Sequence, residues 1–173
     1  MVQSSGADML AYVISDGDGA VNGLLAAVAD NLRGMGVAVG GVVQINTERE
    51  DGRACHMDLS LLSRDSTVRI SQDLGAGATG CRLDPDGLER AVGFVSADLS
   101  RTQLIIVNRF GKQEAEGRGF RPVIGEALAQ GIPVILALRP DFLPAFAAFT
   151  EGLGVALPAD ATALTDWAAA QLV

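Results

Sequence analysis

Residues 10–45 read LAYVISDGDGAVNGLLAAVADNLRGMGVAVGGVVQI, and this stretch decides the fold. It opens with an apolar run, Leu10–Ser15, which predicts a buried strand, and continues through a turn of glycine and aspartate, residues 16–20. Apolar residues then recur at helical spacing until Gly34, and a valine-rich run, residues 37–45, predicts a second strand. Strand, glycine loop, helix and strand in this order are typical of the βαβ unit of a parallel sheet.

The rest of the chain extends this pattern and adds an antiparallel section. Two short extended runs, residues 56–62 and 67–73, are separated by a polar turn and predict a hairpin added to the sheet. The following segments alternate again: helix from Asp84-Pro85, strand 104–107, helix 120–130, strand 132–138, helix 141–149, strand 155–157 and a last helix capped by Asp160. The sequence therefore predicts one α/β domain, residues 1–173, as a three-layer sandwich whose mostly parallel sheet carries an antiparallel hairpin.

Composition and charge limit the class of protein. The chain has 173 residues, of which 49% are hydrophobic and 20% charged, as expected for a folded domain. Its net charge of −8 disfavours nucleic acid and anionic membranes as partners, so an anion would need a local site that overrides this field. Cys55 and Cys81 are too few for a disulfide framework, and no secretory signal or membrane-length apolar run is present. We therefore expect a cytoplasmic protein with free thiols.

The first candidate site is the loop after the first strand, where α/β sheets bind ligands and a helix N-terminus favours anions. Its candidate ligand-binding residues are Gly17, Gly19 and Asn22. A phosphate-binding P-loop has the pattern G-x-x-x-x-G-K-[ST]. Here the aligned positions hold Asp16 for the first glycine, Val21 for the second, Asn22 for the lysine and Gly23 for the hydroxyl residue. An ordinary βα turn is the alternative interpretation.

The second candidate site is the polar segment after the strand at residues 104–107. Asn108 stands where a Walker B carboxylate would bind Mg²⁺, and a neutral amide is a poor ligand for that ion. Arg109 follows, and an arginine cannot act as a base at neutral pH. Lys112 and Arg118 lie further along this charged, glycine-rich stretch and complete the candidate donors. Because the ends of neighbouring parallel strands form the crevice of such a sheet, we expect this segment to face the loop after the first strand. The alternative is a solvated loop with an exposed polar cluster.

The third candidate is the glycine-rich middle loop, where backbone amides could form an anion-binding nest. Ser71, Gln72 and Arg82 supply donors on either side of it, and a mobile loop is the alternative. His56 and the two cysteines are too few for a zinc site, so a structural role is expected for His56.

Two family resemblances follow from these residues. The order of parts, and the segment Asn108-Arg-Phe-Gly-Lys-Gln-Glu114, resemble the thermophile-type nucleoside-triphosphatases, which have a P-loop fold. In that family this segment begins with two acids, both of which are replaced here, while Gly111, Lys112 and Glu114 are kept. The resemblance implies a P-loop-NTPase-like sandwich that lacks the residues for hydrolysis.

The closer resemblance is to bacterial domain-of-unknown-function family 2478, and it runs nearly end to end. It rests on five stretches: Gly41–Gln44, Met57–Leu59, Arg69–Gly75, Gly80–Asp84 and Val107–Phe120. Members of this family are often encoded near molybdate-transport genes, which implies that they handle molybdate or tungstate.

The function expected from these features is non-catalytic binding of a small oxyanion, with molybdate or tungstate as the best candidate. The absent lysine and acids argue against an enzyme, and no cofactor or metal is required. One alternative is a nucleotide-binding protein or weak nucleoside-triphosphatase, and a second is a regulatory or scaffolding protein with an inactive NTPase fold. A small anion is the expected partner, while a homo-oligomer and molybdenum-trafficking proteins stay open as further partners.

Overall fold

The computed structural model describes residues 9–16, 19–47, 56–72 and 82–172. Gly17, Cys55 and Cys81 lie outside these ranges, so the role of Gly17 in the site and the free thiols stay predictions. Within the described ranges, no helix is long and apolar enough to cross a membrane.

Most strands belong to one mixed sheet. The strands are β1 (Leu10–Ile14), β2 (Val39–Thr47), β3 (His56–Leu61), β4 (Ser66–Arg69), β5 (Ser71–Gln72), β6 (Arg82–Leu83), β7 (Leu104–Phe110), β8 (Val134–Leu138) and β9 (Val155–Ala156). The large sheet has the order β4-β3-β2-β7-β8-β1-β9, with β2, β7, β8, β1 and β9 parallel. Strands β3 and β4 pair antiparallel at one edge, and β5 pairs with β6 in a separate small sheet. The predicted hairpin addition is thereby confirmed.

Helices cover both faces of the sheet. They are α1 (Ala20–Gly34), α2 (Pro85–Asp98), α3 (Lys112–Ala115), α4 (Arg121–Ala129), α5 (Leu143–Thr150) and α6 (Ala161–Gln171). The buried apolar faces of α1 and α6 pack on one side of the sheet, and those of α2, α4 and α5 pack on the other. This confirms the predicted three-layer α/β sandwich with a mostly parallel sheet.

Two details of the sequence-based prediction are wrong. The loops after β1 and β7 were expected to follow neighbouring strands, but β8 lies between those strands. Every residue of β8 is apolar and fully buried, and a strand of that kind needs neighbours on both sides and helices on both faces. The second hairpin strand also ends earlier than expected, at Arg69, because Ser71 and Gln72 pair with β6 instead of continuing along β3.

Candidate functional site

A cavity of about 280 Å³ opens beside the carboxyl ends of β2 and β7. The first turn of α1 and the ends of β7 and β8 bring polar side chains to this edge, as expected for the ligand-binding edge of an α/β sheet. Polar and charged residues line one part of the cavity, and they are Gln44, Asn108, Arg109, Lys112, Gln113, Glu114 and Arg139. Apolar residues line the rest, and they are Met57, Leu59, Ile70, Leu83, Leu88, Phe120 and Phe142.

Asn108 and Asn22 meet at the edge of this cavity. Asn108 Nδ2 donates a 2.9 Å hydrogen bond to Asn22 Oδ1, and Asn108 is only 2% exposed. The predicted proximity of the first loop and the segment after β7 is therefore confirmed for Asn22 and Asn108, although β8 separates the two strands. Asn22 also lines a second cavity of about 410 Å³ on the α1 side, together with Gly19 and Gln44. The two asparagines thus stand between a cavity with neutral polar groups and a cavity with cations.

Arg109 is the most unusual charged group of the site. Its Nε is buried and has no hydrogen-bond partner within the described residues, and the same is true of Asn108 Oδ1. Burial lowers the pKa of Arg109, and the nearby positive charge of Arg139 lowers this pKa further, while Glu114 opposes both effects. An anion placed between these two guanidinium groups would reduce the repulsion between them.

Glu114 holds the segment after β7 in shape. Its Oε1 accepts a 2.9 Å hydrogen bond from the Gly111 N–H, and its Oε2 accepts a 3.0 Å hydrogen bond from the Phe120 N–H. Burial raises the pKa of this carboxyl, and the hydrogen bonds from Gly111 and Phe120 partly oppose that rise. The alternative of a solvated loop with an exposed polar cluster is wrong for Glu114, which is 3% exposed and bound to the backbone. Lys112 and Arg139 are both exposed and line the cavity at its rim.

Six of the predicted site residues within the described ranges do not line the cavity with the cations: Gly19 and Asn22 line the second cavity, and the other four lie elsewhere. Arg118 is exposed and bonds to Gln113 and Glu116, which hold it away from the cavity. Ser71 Oγ accepts a 3.0 Å hydrogen bond from the Met57 N–H, so it joins the small sheet to β3. Gln72 and Arg82 are exposed and lie opposite each other on the two strands of that small sheet.

Two residues of the cavity were missed by the sequence reasoning. Arg139 follows directly after the apolar strand β8, at the same edge of the sheet as Asn108, and its position after a buried strand was the available signal. Gln44 is a buried amide inside the valine-rich strand β2, and a polar residue in such a run was the signal there. Gln44 donates a 2.9 Å hydrogen bond to Asn46.

His56 lies away from this cavity. Its Nδ1 is 3.0 Å from Nη1 of Arg69, which also pairs with Asp58 on the neighbouring strand. Across the described ranges, no group of three or more His, Cys, Asp or Glu side chains is arranged to hold a metal ion. His56, Asp58 and Arg69 form a surface cluster that joins β3 to β4, which agrees with the structural role expected for His56.

Comparisons with known proteins agree with the resemblances seen in the sequence. A family model described as "Protein of unknown function (DUF2478)" matches residues 10–167. A protein of Bradyrhizobium diazoefficiens named "Molybdenum import ATP-binding protein ModC 2" is 37% identical to this chain over 147 residues. The alignment covers 83% of this chain but only 16% of that protein. No solved structure matches the chain. An ATP-binding relative is consistent with the P-loop-NTPase-like class of the fold.

Proposed function

This chain belongs to the family described as "Protein of unknown function (DUF2478)", and we propose that it binds a small oxyanion without catalysing a reaction. Molybdate or tungstate is the first candidate ligand, because the relative in Bradyrhizobium diazoefficiens is named for molybdenum import. The proposed site is the cavity that Asn108, Arg109, Lys112 and Arg139 line. In this proposal the protein serves molybdenum-trafficking partners in the cytoplasm.

The observation that carries the proposal is the gathering of three cations at one cavity in an acidic chain. Arg109, Lys112 and Arg139 line it, and Glu114 is the only carboxylate among the lining residues that the structure describes. The chain as a whole has a net charge of −8, so the cavity carries a local excess of positive charge on a protein that is negative overall. Because guanidinium and ammonium groups bind oxyanions by charge-assisted hydrogen bonds, the cavity offers the donors that a tetrahedral anion needs.

The amide of Asn108 can serve the same ligand. Its Oδ1 has no partner, while its Nδ2 is bonded to Asn22. If the side-chain amides of Asn22 and Asn108 flip together, the hydrogen bond between them is kept with the donor and the acceptor exchanged. Asn108 Nδ2 then faces the cavity. The pair can thus present an N–H donor to a deprotonated oxyanion, or an acceptor to a protonated one, without losing its internal bond.

A nucleotide is the second candidate, favoured by the name of the ATP-binding relative. In a P-loop protein the phosphates would lie at the first loop, beside Gly19 and Asn22. The described residues that line the cavity on that side are Gly19, Asn22, Gly23, Gln44, Asn46 and apolar residues, and none of these is charged. The cations lie on the other side of the Asn22–Asn108 pair. This arrangement favours a compact oxyanion over a polyphosphate.

Isothermal titration calorimetry with the purified protein tests the proposal. Sodium molybdate, tungstate, sulfate and phosphate are titrated separately, and magnesium-ATP is titrated in the same buffer. We expect saturable binding of at least molybdate or tungstate, and at 100 times the dissociation constant the ligand should add about 2.7 kcal/mol to the free energy of unfolding. Binding of magnesium-ATP with no binding of any oxyanion would favour the nucleotide instead. Binding of none of them would contradict both candidates.

A further inference from the structure

We propose that the cavity contains a second subsite, for a single aromatic ring carried by the oxyanion, next to the cationic end. This inference rests on the proposed function, because the ring is held where the anion is already bound. Its ligand class is an aryl monoester or a similar small organic anion. Inorganic oxyanions would fill the cationic end alone.

The first observation is the exposed apolar wall of the cavity. Met57, Leu83 and Phe142 are only half-buried, and all three line it. Behind them lie Leu59 and Ile70, which are 1% and 3% exposed and make the wall continuous with the core. A hydrated inorganic ion gains nothing from this wall, whereas a ring that covers it removes apolar surface from water.

The second observation is that one short turn supplies both a cation and a ring. The Phe142 N–H donates a 3.0 Å hydrogen bond to the Arg139 carbonyl oxygen, which closes the turn Arg139–Phe142. Both side chains line the same cavity. A turn that fixes a guanidinium and an aromatic ring together matches a ligand whose anionic group is attached to a flat apolar body.

The volume of the cavity limits the size of the ligand's apolar part. At about 280 Å³ it is slightly smaller than the sites of drug-sized ligands, which start at roughly 300 Å³. One ring with one anionic group is therefore the natural occupant, and a nucleoside triphosphate would exceed the space. The ring lies against Met57, Leu83 and Phe142, with the anion at Arg109 and Arg139.

Calorimetry with phenyl phosphate, inorganic phosphate and phenol tests this subsite. We expect phenyl phosphate to bind about tenfold more tightly than inorganic phosphate, a difference of about 1.4 kcal/mol, and phenol to bind most weakly because it has no anionic group. Leu83→Ser should weaken the binding of phenyl phosphate much more than that of inorganic phosphate, and so remove most of the preference. Met57→Gln tests the same wall independently. Leu157→Ser is the matched control, since Leu157 is a half-buried leucine packed against the core on the α1 and α6 side of the sheet.

The outcomes separate this inference from the proposed function. Equal affinities for phenyl phosphate and inorganic phosphate would overturn the ring subsite and leave oxyanion binding intact. A preference for phenyl phosphate that survives both Leu83→Ser and Met57→Gln would also overturn it, because the ring would then lie elsewhere. Failure of the native protein to bind either phosphate compound, molybdate or tungstate would contradict the proposed function as well.

Discussion

Asn108 Nδ2 lies 2.9 Å from Asn22 Oδ1, and this amide–amide hydrogen bond joins the end of β7 to the first turn of α1. In the sequence alignment with P-loop proteins, Asn22 stands at the position of the phosphate-binding lysine and Asn108 at the position of the magnesium-binding acid. Two neutral amides cannot supply the positive charge that polyphosphate needs or the carboxylate that Mg²⁺ prefers. The hydrogen bond holds the two segments together at the positions where P-loop proteins carry the phosphate-binding lysine and the magnesium-binding acid.

We predict that the protein releases no appreciable phosphate from ATP or GTP. The double variant Asn22→Lys/Gly23→Thr should also stay inactive, because Asn108 and Arg109 still occupy the positions of the acids. A magnesium-dependent phosphate-release assay checks both proteins. Turnover by the native protein at ordinary NTPase rates, about 1 s⁻¹ or more, would contradict the prediction.

We predict that Arg109→Ala, Lys112→Ala and Arg139→Ala each weaken oxyanion binding. Loss of one charge-assisted hydrogen bond costs about 1.5–3 kcal/mol, so the dissociation constant should rise tenfold or more. The melting temperature of the empty protein should stay nearly constant, or rise for Arg109→Ala and Arg139→Ala, because the two guanidinium groups repel each other in the absence of an anion.

Arg118→Ala is the matched control for these variants. Arg118 is exposed, pairs with Glu116 and does not line the cavity, so its removal should leave the affinity unchanged. Calorimetry on all four variants and thermal melts without ligand provide the measurements. Equal weakening by Arg118→Ala would show that the chain's overall charge, and not the cavity, determines binding.

The sequence predicted the sheet and part of the site for a clear reason. Asn22 and Asn108 each follow an apolar run, and the ends of parallel strands meet at one edge whatever their exact order. Arg139 was missed because nothing in the apolar run before it shows that β8 lies between β1 and β7. The burial of Glu114 does not follow from the sequence, because only the fold brings the N–H groups of Gly111 and Phe120 to its carboxylate.

We predict that Glu114→Ala lowers the free energy of unfolding by about 3 kcal/mol, because two buried N–H groups lose their acceptor. Glu114→Gln keeps one acceptor and should be less harmful. Burial raises the pKa of Glu114 in the folded protein, so its contribution to stability is fully present below the ordinary glutamate pKa and is lost as the pH rises through the raised value. Urea unfolding at several pH values should show this decline in the native protein and not in Glu114→Gln. An identical pH profile for both would contradict the assignment.

The last prediction concerns Asp98, which attaches the β3–β4 turn to the end of α2. Asp98 is 2% exposed and accepts hydrogen bonds from Ser63 Oγ at 2.6 Å and from Arg64 Nε at 2.6 Å, and it also pairs with Arg101. The hydrogen bond from Arg64, with that from Ser63, holds the pKa of Asp98 well below its usual range. A lowered pKa in the folded state means that the stabilisation is present above the ordinary aspartate pKa, near 4, and is lost as the pH falls towards the lowered value.

Asp98→Asn should therefore be less stable than the native protein at neutral pH, and the difference should shrink below about pH 4 as the native carboxyl loses its advantage. Asp58→Asn is the matched control, because Asp58 pairs with Arg69 on the same hairpin but is 20% exposed, and exposed ion pairs contribute little. Urea unfolding of the three proteins between neutral and acidic pH gives the comparison. Since the hairpin anchored by Asp98 carries Met57 and Leu59 of the cavity wall, Asp98→Asn should also weaken ligand binding at neutral pH. Calorimetry that finds equal ligand affinity in the native protein and in Asp98→Asn would show that the wall holds its shape without this anchor.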